Sequence, residues 1–206
     1  MIVQTVTVGP VQTNCYVVGC PQTRSAAVID PGGAADTILQ AARSAGLTIT
    51  VILLTHGHFD HIGAVADVQD ATHASIAVHE RELDWLYANG GAGAFGYKIR
   101  SVPQPDRLLV HGDTIEVGTL TFETRYVPGH TVGHVAFIEQ QQRAAFVGDA
   151  LFAGSIGRTD LPGGDYATLI ASITNQLLTL PDDFKVYSGH GPPTTIGLEK
   201  RTNPFL

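Results

Sequence analysis

Four ligand-type residues, three of them histidine, fall within six positions at His56-Gly57-His58-Phe59-Asp60-His61, and further ones follow at His130, Asp149 and His190. Imidazole and carboxylate without thiolate suit zinc, iron or manganese in a hydrolytic or oxygen-handling centre. Seven such groups are too many for one tetrahedral ion. They suit two divalent ions, each with about three protein ligands and an open place for water. Two closely spaced ions can share a carboxylate, and the solitary Asp149 is the candidate for that bridge. A single histidine near a strand end is ordinarily a surface or hydrogen-bonded residue, and Gly-His and Gly-Asp also occur in plain turns. The weight therefore rests on the cluster at 56–61. His130, Asp149 and His190 gain theirs as a set.

The same design recurs around each of these residues. Val51 to Thr55 runs into His56, Phe122 to Val127 into Pro128-Gly129-His130, Ala144 to Val147 into Gly148-Asp149, and Lys185 to Ser188 into Gly189-His190. In sheet proteins, ligands gather where the carboxyl ends of strands open into loops, so four such ends predict one shared pocket.

The wider pattern supports a mixed fold. Ile2 to Val8, Cys15 to Val18 and Ala26 to Ile29 read as strands, and Asp30-Pro31-Gly32-Gly33 breaks the last one. Ile38, Leu39 and Ala42 recur at helical spacing up to Gly46, a C′ residue. Ile49 to Leu54 is apolar enough for a strand buried on both faces. Helices are expected over Ile62 to Val68 and Glu82 to Tyr87, with a strand at Ser75 to Val78 between them. A β-rich block follows at 114–117, 119–127, 135–139 and 144–147. Asp165 is the expected N-cap of a helix whose apolar face is Leu169, Ile173 and Leu177, and Lys185 to Tyr187 is a last strand. Hairpins mixed with βα units predict an α/β (α+β) fold with sheet under helices.

With 206 residues, 44% of them hydrophobic, the chain can bury one sizeable core, and a single domain over 1–206 is expected. Twelve Lys and Arg against nineteen Asp and Glu leave a net charge of −7, which disfavours a nucleic-acid partner. No apolar run is long enough to span a bilayer, and the N-terminus lacks the charged start of a signal peptide, so no membrane partner is expected. Cys15 and Cys20 lie in apolar, strand-like sequence and read as buried small hydrophobes, which makes a reducing cytoplasm the default location.

The order His56-x-His58-x-Asp60-His61, then His130, Asp149 and His190, resembles the signature of the metallo-β-lactamase superfamily. That resemblance implies an αββα four-layer sandwich, two mixed sheets flanked by helices. It also implies that His56, His58 and His130 hold one metal, that Asp60, His61 and His190 hold the other, and that Asp149 bridges. Within the superfamily, Pro128-Gly129-His130-Thr131-Val132-Gly133-His134, Gly148-Asp149-Ala150-Leu151-Phe152, Ser155-Ile156-Gly157-Arg158-Thr159-Asp160 and Gly189-His190-Gly191-Pro192-Pro193 are similar to the short bacterial branch of the glyoxalase II group, the hydroxyacylglutathione hydrolases. Full-length glyoxalase II enzymes carry a helical glutathione-binding domain after the last histidine; here sixteen residues follow His190.

The activity so implied is hydrolysis of a small-molecule thioester of the S-lactoylglutathione type, with zinc as the expected ion and iron or manganese as alternatives. Water between two cations loses its proton near neutral pH, and Asp60 and Asp149 are the catalytic carboxylates. Arg158 matches a family lysine that holds a glutathione carboxylate, and is the candidate substrate-binding residue; its bland alternative is pairing with Asp160 or Asp165. His134 and Asp30 are candidates for supporting hydrogen bonds behind the metal ligands. The rivals are a mononuclear iron persulfide dioxygenase, a β-lactamase, and a metal-binding module without turnover. The oligomeric state is not legible.

Overall fold

The computed structural model describes residues 1–206. Its first half forms a six-stranded sheet of β1 (Ile2–Val8), β2 (Thr13–Gly19), β3 (Ser25–Ile29), β4 (Thr48–Leu53), β5 (Ser75–His79) and β6 (Arg107–Leu109), in that spatial order. The first three strands are antiparallel neighbours, while β3 to β6 run parallel. Parallel neighbours need crossover connections, supplied here by α1 (Ala35–Ser44) and then by the short α2 (Phe59–Ile62) with α3 (Val65–Thr72). α4 (Leu83–Tyr87) follows β5.

The second half builds a matching sheet from β7 (Thr114–Val117), β8 (Leu120–Tyr126), β9 (Val135–Glu139), β10 (Ala144–Gly148), β13 (Lys185–Ser188) and β14 (Thr194–Thr195), in the order β14-β13-β10-β9-β8-β7. A small hairpin, β11 (Leu151–Phe152) with β12 (Ser155–Ile156), and the helices α5 (Tyr166–Ser172) and α6 (Ile196–Thr202) complete it. Only β10 and β13 are parallel.

Period-two alternation divides the core. Ala27 and Ile29 of β3 face the second sheet and share a cluster with Phe122, Phe137 and Phe146. Ala26 and Val28 of the same strand point the other way, onto Ile38 and Ala42 of α1. Leu169, Ile173 and Leu177 cover the outer face of the second sheet against Ala145 and Val186. The layers are therefore helix, sheet, sheet, helix, as the resemblance implied. Cys15 and Cys20 are free and buried in different apolar clusters. No helix is long and apolar enough to cross a membrane.

Local signals behave as expected at two helix ends. Gly46 has φ +65°, its N–H donates to Arg43 O, and the Leu47 N–H reaches Ala42 O, which closes α1 in a Schellman motif. Asp165 caps α5 by accepting from the Thr168 N–H at 2.7 Å. The expected helix over Ile62 to Val68 is instead two helices. The Ala64 N–H donates to Pro31 O at 2.8 Å, so a tertiary hydrogen bond bends the chain where periodicity alone runs on. The helix expected from Glu82 begins as a 3₁₀ turn, Glu80–Glu82, before α4. Beyond Ser172 the helix widens into a π turn over Ile173–Leu177.

Candidate metal centre

The carboxyl ends of β4, β8, β10 and β13 do converge, at one edge of the two sheets. His56, His58 and His130 form one group whose potential ligand atoms all lie within 4.8 Å of one another, and Asp60, His61 and His190 form a second. Asp149 lies between them. Its Oδ1 is 3.3 Å from His61 Nε2, and its Oδ2 is 3.7 Å from His130 Nε2 and 3.5 Å from His190 Nε2. Asp60 Oδ2 approaches His190 Nε2 at 3.2 Å and His61 Nε2 at 3.5 Å, and His58 Nδ1 is 3.0 Å from His130 Nε2. Metal bonds of about 2.0–2.1 Å set neighbouring ligand atoms roughly 3–3.5 Å apart, so these spacings fit a shared cation. His56 Nε2, His61 Nε2 and Asp149 Oδ1 are buried with no hydrogen-bond partner. Buried polar atoms are nearly always satisfied, and divalent ions at the two groups would satisfy all three.

Three of the rings, His56, His61 and His130, are turned by what their other nitrogen meets. Asp30, at φ +52°, accepts from the Thr55 N–H at 2.7 Å and from the Thr55 hydroxyl at 2.6 Å, and its Oδ2 lies 3.0 Å from His61 Nδ1. The Thr55 hydroxyl in turn stands 3.0 Å from His56 Nδ1. One buried carboxylate thus aims His61 directly and His56 through Thr55, leaving both Nε2 atoms for the centre. His130 Nδ1 faces Arg158 O at 2.8 Å, which leaves its Nε2 inward. The Asp149 N–H donates to His134 Nε2 at 3.1 Å, so His134 holds the backbone of the central carboxylate rather than joining the ring of candidate ligands. Gly148 (φ +48°) has no room for a side chain, since a Cβ would run into Thr55 Oγ1, and one on Gly189 would collide with Asp149 Oδ1.

The carboxylates separate the two groups electrically. Burial and neighbouring imidazoles push His56 well down and His58 to about 3, and burial lowers His130 despite Asp149. Burial acts the same way on His61 and His190, but the Asp149 and Asp60 carboxylates overrule it: His61 is raised well above its ordinary value and His190 to about 9. Burial would raise Asp60, yet His61, His190 and the Thr13 hydroxyl bring it to about 2. Asp149 is likewise held far down against its burial by His61 and His190.

Five supporting residues escaped the sequence reading. Thr13 donates to Asp60 Oδ2 at 2.9 Å. Asn14 Nδ2 donates to Ser188 O and Gly191 O, and the Tyr16 hydroxyl donates to Ser188 O at 2.6 Å, so β2 fastens the loop of His190. Thr55 is the hinge between Asp30 and His56. Glu82 is fully buried and accepts from the Gly57 N–H, the Thr131 hydroxyl and the Gly133 N–H at 2.6–2.7 Å, which ties the His56–His58 loop to the His130 loop. Burial raises its carboxyl in spite of these bonds. Thr55 had a visible signal, a polar residue ending an apolar strand; Glu82 had none.

A cavity of about 370 Å³ opens over the centre, lined by His58, Asp60, His130, Asp149 and His190 and walled by Val11, Phe59, Phe95, Tyr97 and Leu161. Arg158 lines it too, but its guanidinium forks onto Asp160, with Nε to Oδ1 and Nη2 to Oδ2 both at 2.7 Å. The bland pairing weighed for Arg158 is the one this conformation displays.

A four-layer sandwich with a histidine- and aspartate-lined cavity at the shared edge of its sheets is the architecture of a metallohydrolase. The chain belongs to the metallo-beta-lactamase superfamily, whose family model matches residues 8–190. It is 41% identical to the hydroxyacylglutathione hydrolase GloC of Haemophilus influenzae, over 100% of this chain and 98% of that one. Among solved structures it is similar to BLEG-1, described as a B3 metallo-beta-lactamase (TM-score 0.94, 43% identity, 100% of this chain and 99% of that one). It is also similar to TTHA1623 in a di-iron-bound form (TM-score 0.91, 43% identity, 98% of this chain and 100% of that one).

Proposed function

We propose that the chain hydrolyses a thioester of the 2-hydroxyacyl thiol type, S-lactoylglutathione being the reference substrate, with two divalent ions, zinc first among the candidates. His56, His58 and His130 would hold one ion, Asp60, His61 and His190 the other, and Asp149 would bridge. The observation that carries this reading is the pairing of two three-residue groups about one carboxylate. Likeness over its whole length to a hydroxyacylglutathione hydrolase directs it to a thioester. Bound in pairs, such ions act as Lewis acids and lower the pKa of a water to about 7.

The chain's own residues do the rest. Asp60, steadied by Thr13, orients the attacking water, and Asp149 keeps the two halves of the centre in register. Water adds to the carbonyl carbon, the C–S bond breaks, and the thiol departs with the proton. A thiolate leaves readily, so no dedicated general acid is needed. Arg158 takes an anionic end of the thiol carrier by exchanging Asp160 for it, a swap between equivalent bidentate partners. Arg158→Ala then raises KM for a charged thioester about tenfold and leaves kcat nearly unchanged, while an uncharged thioester is little affected. Equal losses on both substrates would assign Arg158 to loop structure.

BLEG-1's description carries a second reading, opening of a β-lactam ring. One panel on protein of measured metal content separates the readings: S-lactoylglutathione, a chromogenic cephalosporin, and glutathione persulfide with oxygen. Hydrolysis of the thioester alone is expected. Rapid cephalosporin opening with an inert thioester would install the second reading, and oxygen uptake on the persulfide would install a dioxygenase.

A further inference from the structure

The cavity wall holds apolar side chains that the hydrolytic chemistry does not use. Phe59, between the candidate ligands His58 and Asp60, stacks on Tyr97 (ring centroids 5.1 Å, 20° between planes) and lies against Phe95 at 5.4 Å. Phe59 is buried, yet Phe95 is 47% exposed, Tyr97 38% and Val11 42%. Three of the molecule's exposed large apolar residues thus meet at the mouth of the metal centre. Apolar surface left exposed in a concave, pre-formed site marks where a ligand's own apolar surface goes.

Resting on the thioesterase reading, we infer that Phe59, Phe95, Tyr97 and Val11 form a subsite for an apolar, preferentially aromatic, acyl arm of the substrate. The charge pattern says which half of the thioester belongs there. The one guanidinium in the lining, Arg158, comes from the loop after β12, whereas the aromatic wall comes from α2 and from the segment after α4. A charged thiol carrier laid on that wall would lose water with nothing to replace it, while an aryl group loses only unfavourable hydration and gains an offset ring contact. The carrier therefore lies toward Arg158 and solvent, and the acyl arm lies on the rings.

The segment presenting the wall is shaped by residues that turn it tightly against α2. Asn89, Gly90, Gly91 and Gly96 all have positive φ, and Gly90 is pressed against the backbone of Phe59, where a Cβ would collide with its amide. That close approach is what lets Phe95 and Tyr97 lie against Phe59.

The test compares two thioesters of one carrier, S-lactoylglutathione and S-mandeloylglutathione, which differ by a methyl against a phenyl on the same 2-hydroxyacyl frame. With the carrier constant, any contribution of Arg158 cancels. The metal-loaded wild type is expected to favour the mandeloyl ester by about tenfold or more in kcat/KM, and Phe95→Ala and Tyr97→Ala should each erase most of that preference. Metal content and melting temperature, measured in parallel, keep an unfolded variant from counting. Equal kcat/KM for the two esters, or a preference that survives both substitutions, would overturn the subsite while leaving the thioesterase reading intact. Inertness of both esters would strike the thioesterase reading instead. Binding of S-benzylglutathione, which has no scissile thioester, measured by isothermal titration and expected to weaken in Phe95→Ala, gives a readout independent of turnover.

Discussion

The two ligand groups sit side by side and are built on opposite principles. His56, His58 and His130 are three imidazoles 0%, 6% and 2% exposed, held down in pKa by burial and therefore neutral without an ion. Asp60, His61 and His190 mix a carboxylate with imidazoles raised by carboxylates, and the His190 side chain is 28% exposed. The first group is a dry, preorganised pocket braced by Glu82. The second is more exposed, with Thr13 steadying Asp60 and Asn14 tying the His190 loop to β2. An ion held by the first group would meet imidazoles that burial keeps neutral, whereas one held by the second would compete with the protons that Asp60 and Asp149 draw onto His61 and His190. On that difference we propose that the first group would hold its ion more tightly than the second.

Asp149 lies between the two groups, within 3.3–3.7 Å of His61, His130 and His190, so its loss should disturb both. Asp149→Asn keeps the shape but not the charge that would balance the two proposed dications. Turnover is expected to fall by on the order of a thousandfold or more, with the far-ultraviolet dichroism of the wild type retained. Near-normal activity in a folded, metal-loaded variant would remove Asp149 from the centre.

Smaller effects should divide between the groups. Asp30→Asn disturbs His61 directly and His56 through Thr55, so it should weaken both ions by about 10–100-fold. Thr13→Val touches only Asp60 and should weaken one ion alone. Metal affinities by isothermal titration read the split; a one-ion effect from Asp30→Asn would contradict the shared chain through Thr55.

The smallest effect on turnover is expected from Glu82→Ala, which shows mainly in stability. It leaves two backbone N–H groups and the Thr131 hydroxyl without their acceptor, a cost of about 2–4 kcal/mol and a fall in melting temperature on the order of 10 °C. Any metal lost should come from the His56, His58 and His130 side. Unchanged melting would mean that the loops hold each other without Glu82.

Most of the centre was legible because ligand chemistry leaves a mark in residue type. Histidine beside aspartate after an apolar strand is costly unless something binds it, and glycine must follow where the backbone turns at a ligand. The four-layer fold was legible for a similar reason, since alternation in β3 and helical spacing in α1 are dictated by which faces are buried. What was hidden depends on distance in sequence. Nothing near Glu82 announces that it will accept from residues 25 and 51 positions away, and nothing near Ile62 shows that Pro31 will bend the helix at Ala64. Arg158 was legible as a residue near the cavity and its pairing with Asp160 as one of two readings, but the choice between them is a matter of conformation, which type and spacing do not encode.

The central claim is that two unequal sites share one carboxylate, and metal content during chelator titration tests it most directly. Elemental analysis of protein purified without chelator and reconstituted with zinc should give two ions per chain. Increasing chelator should remove one ion well before the other, and His190→Ala should leave only the tightly held one. A single ion per chain after reconstitution, or two ions leaving together, would contradict the account.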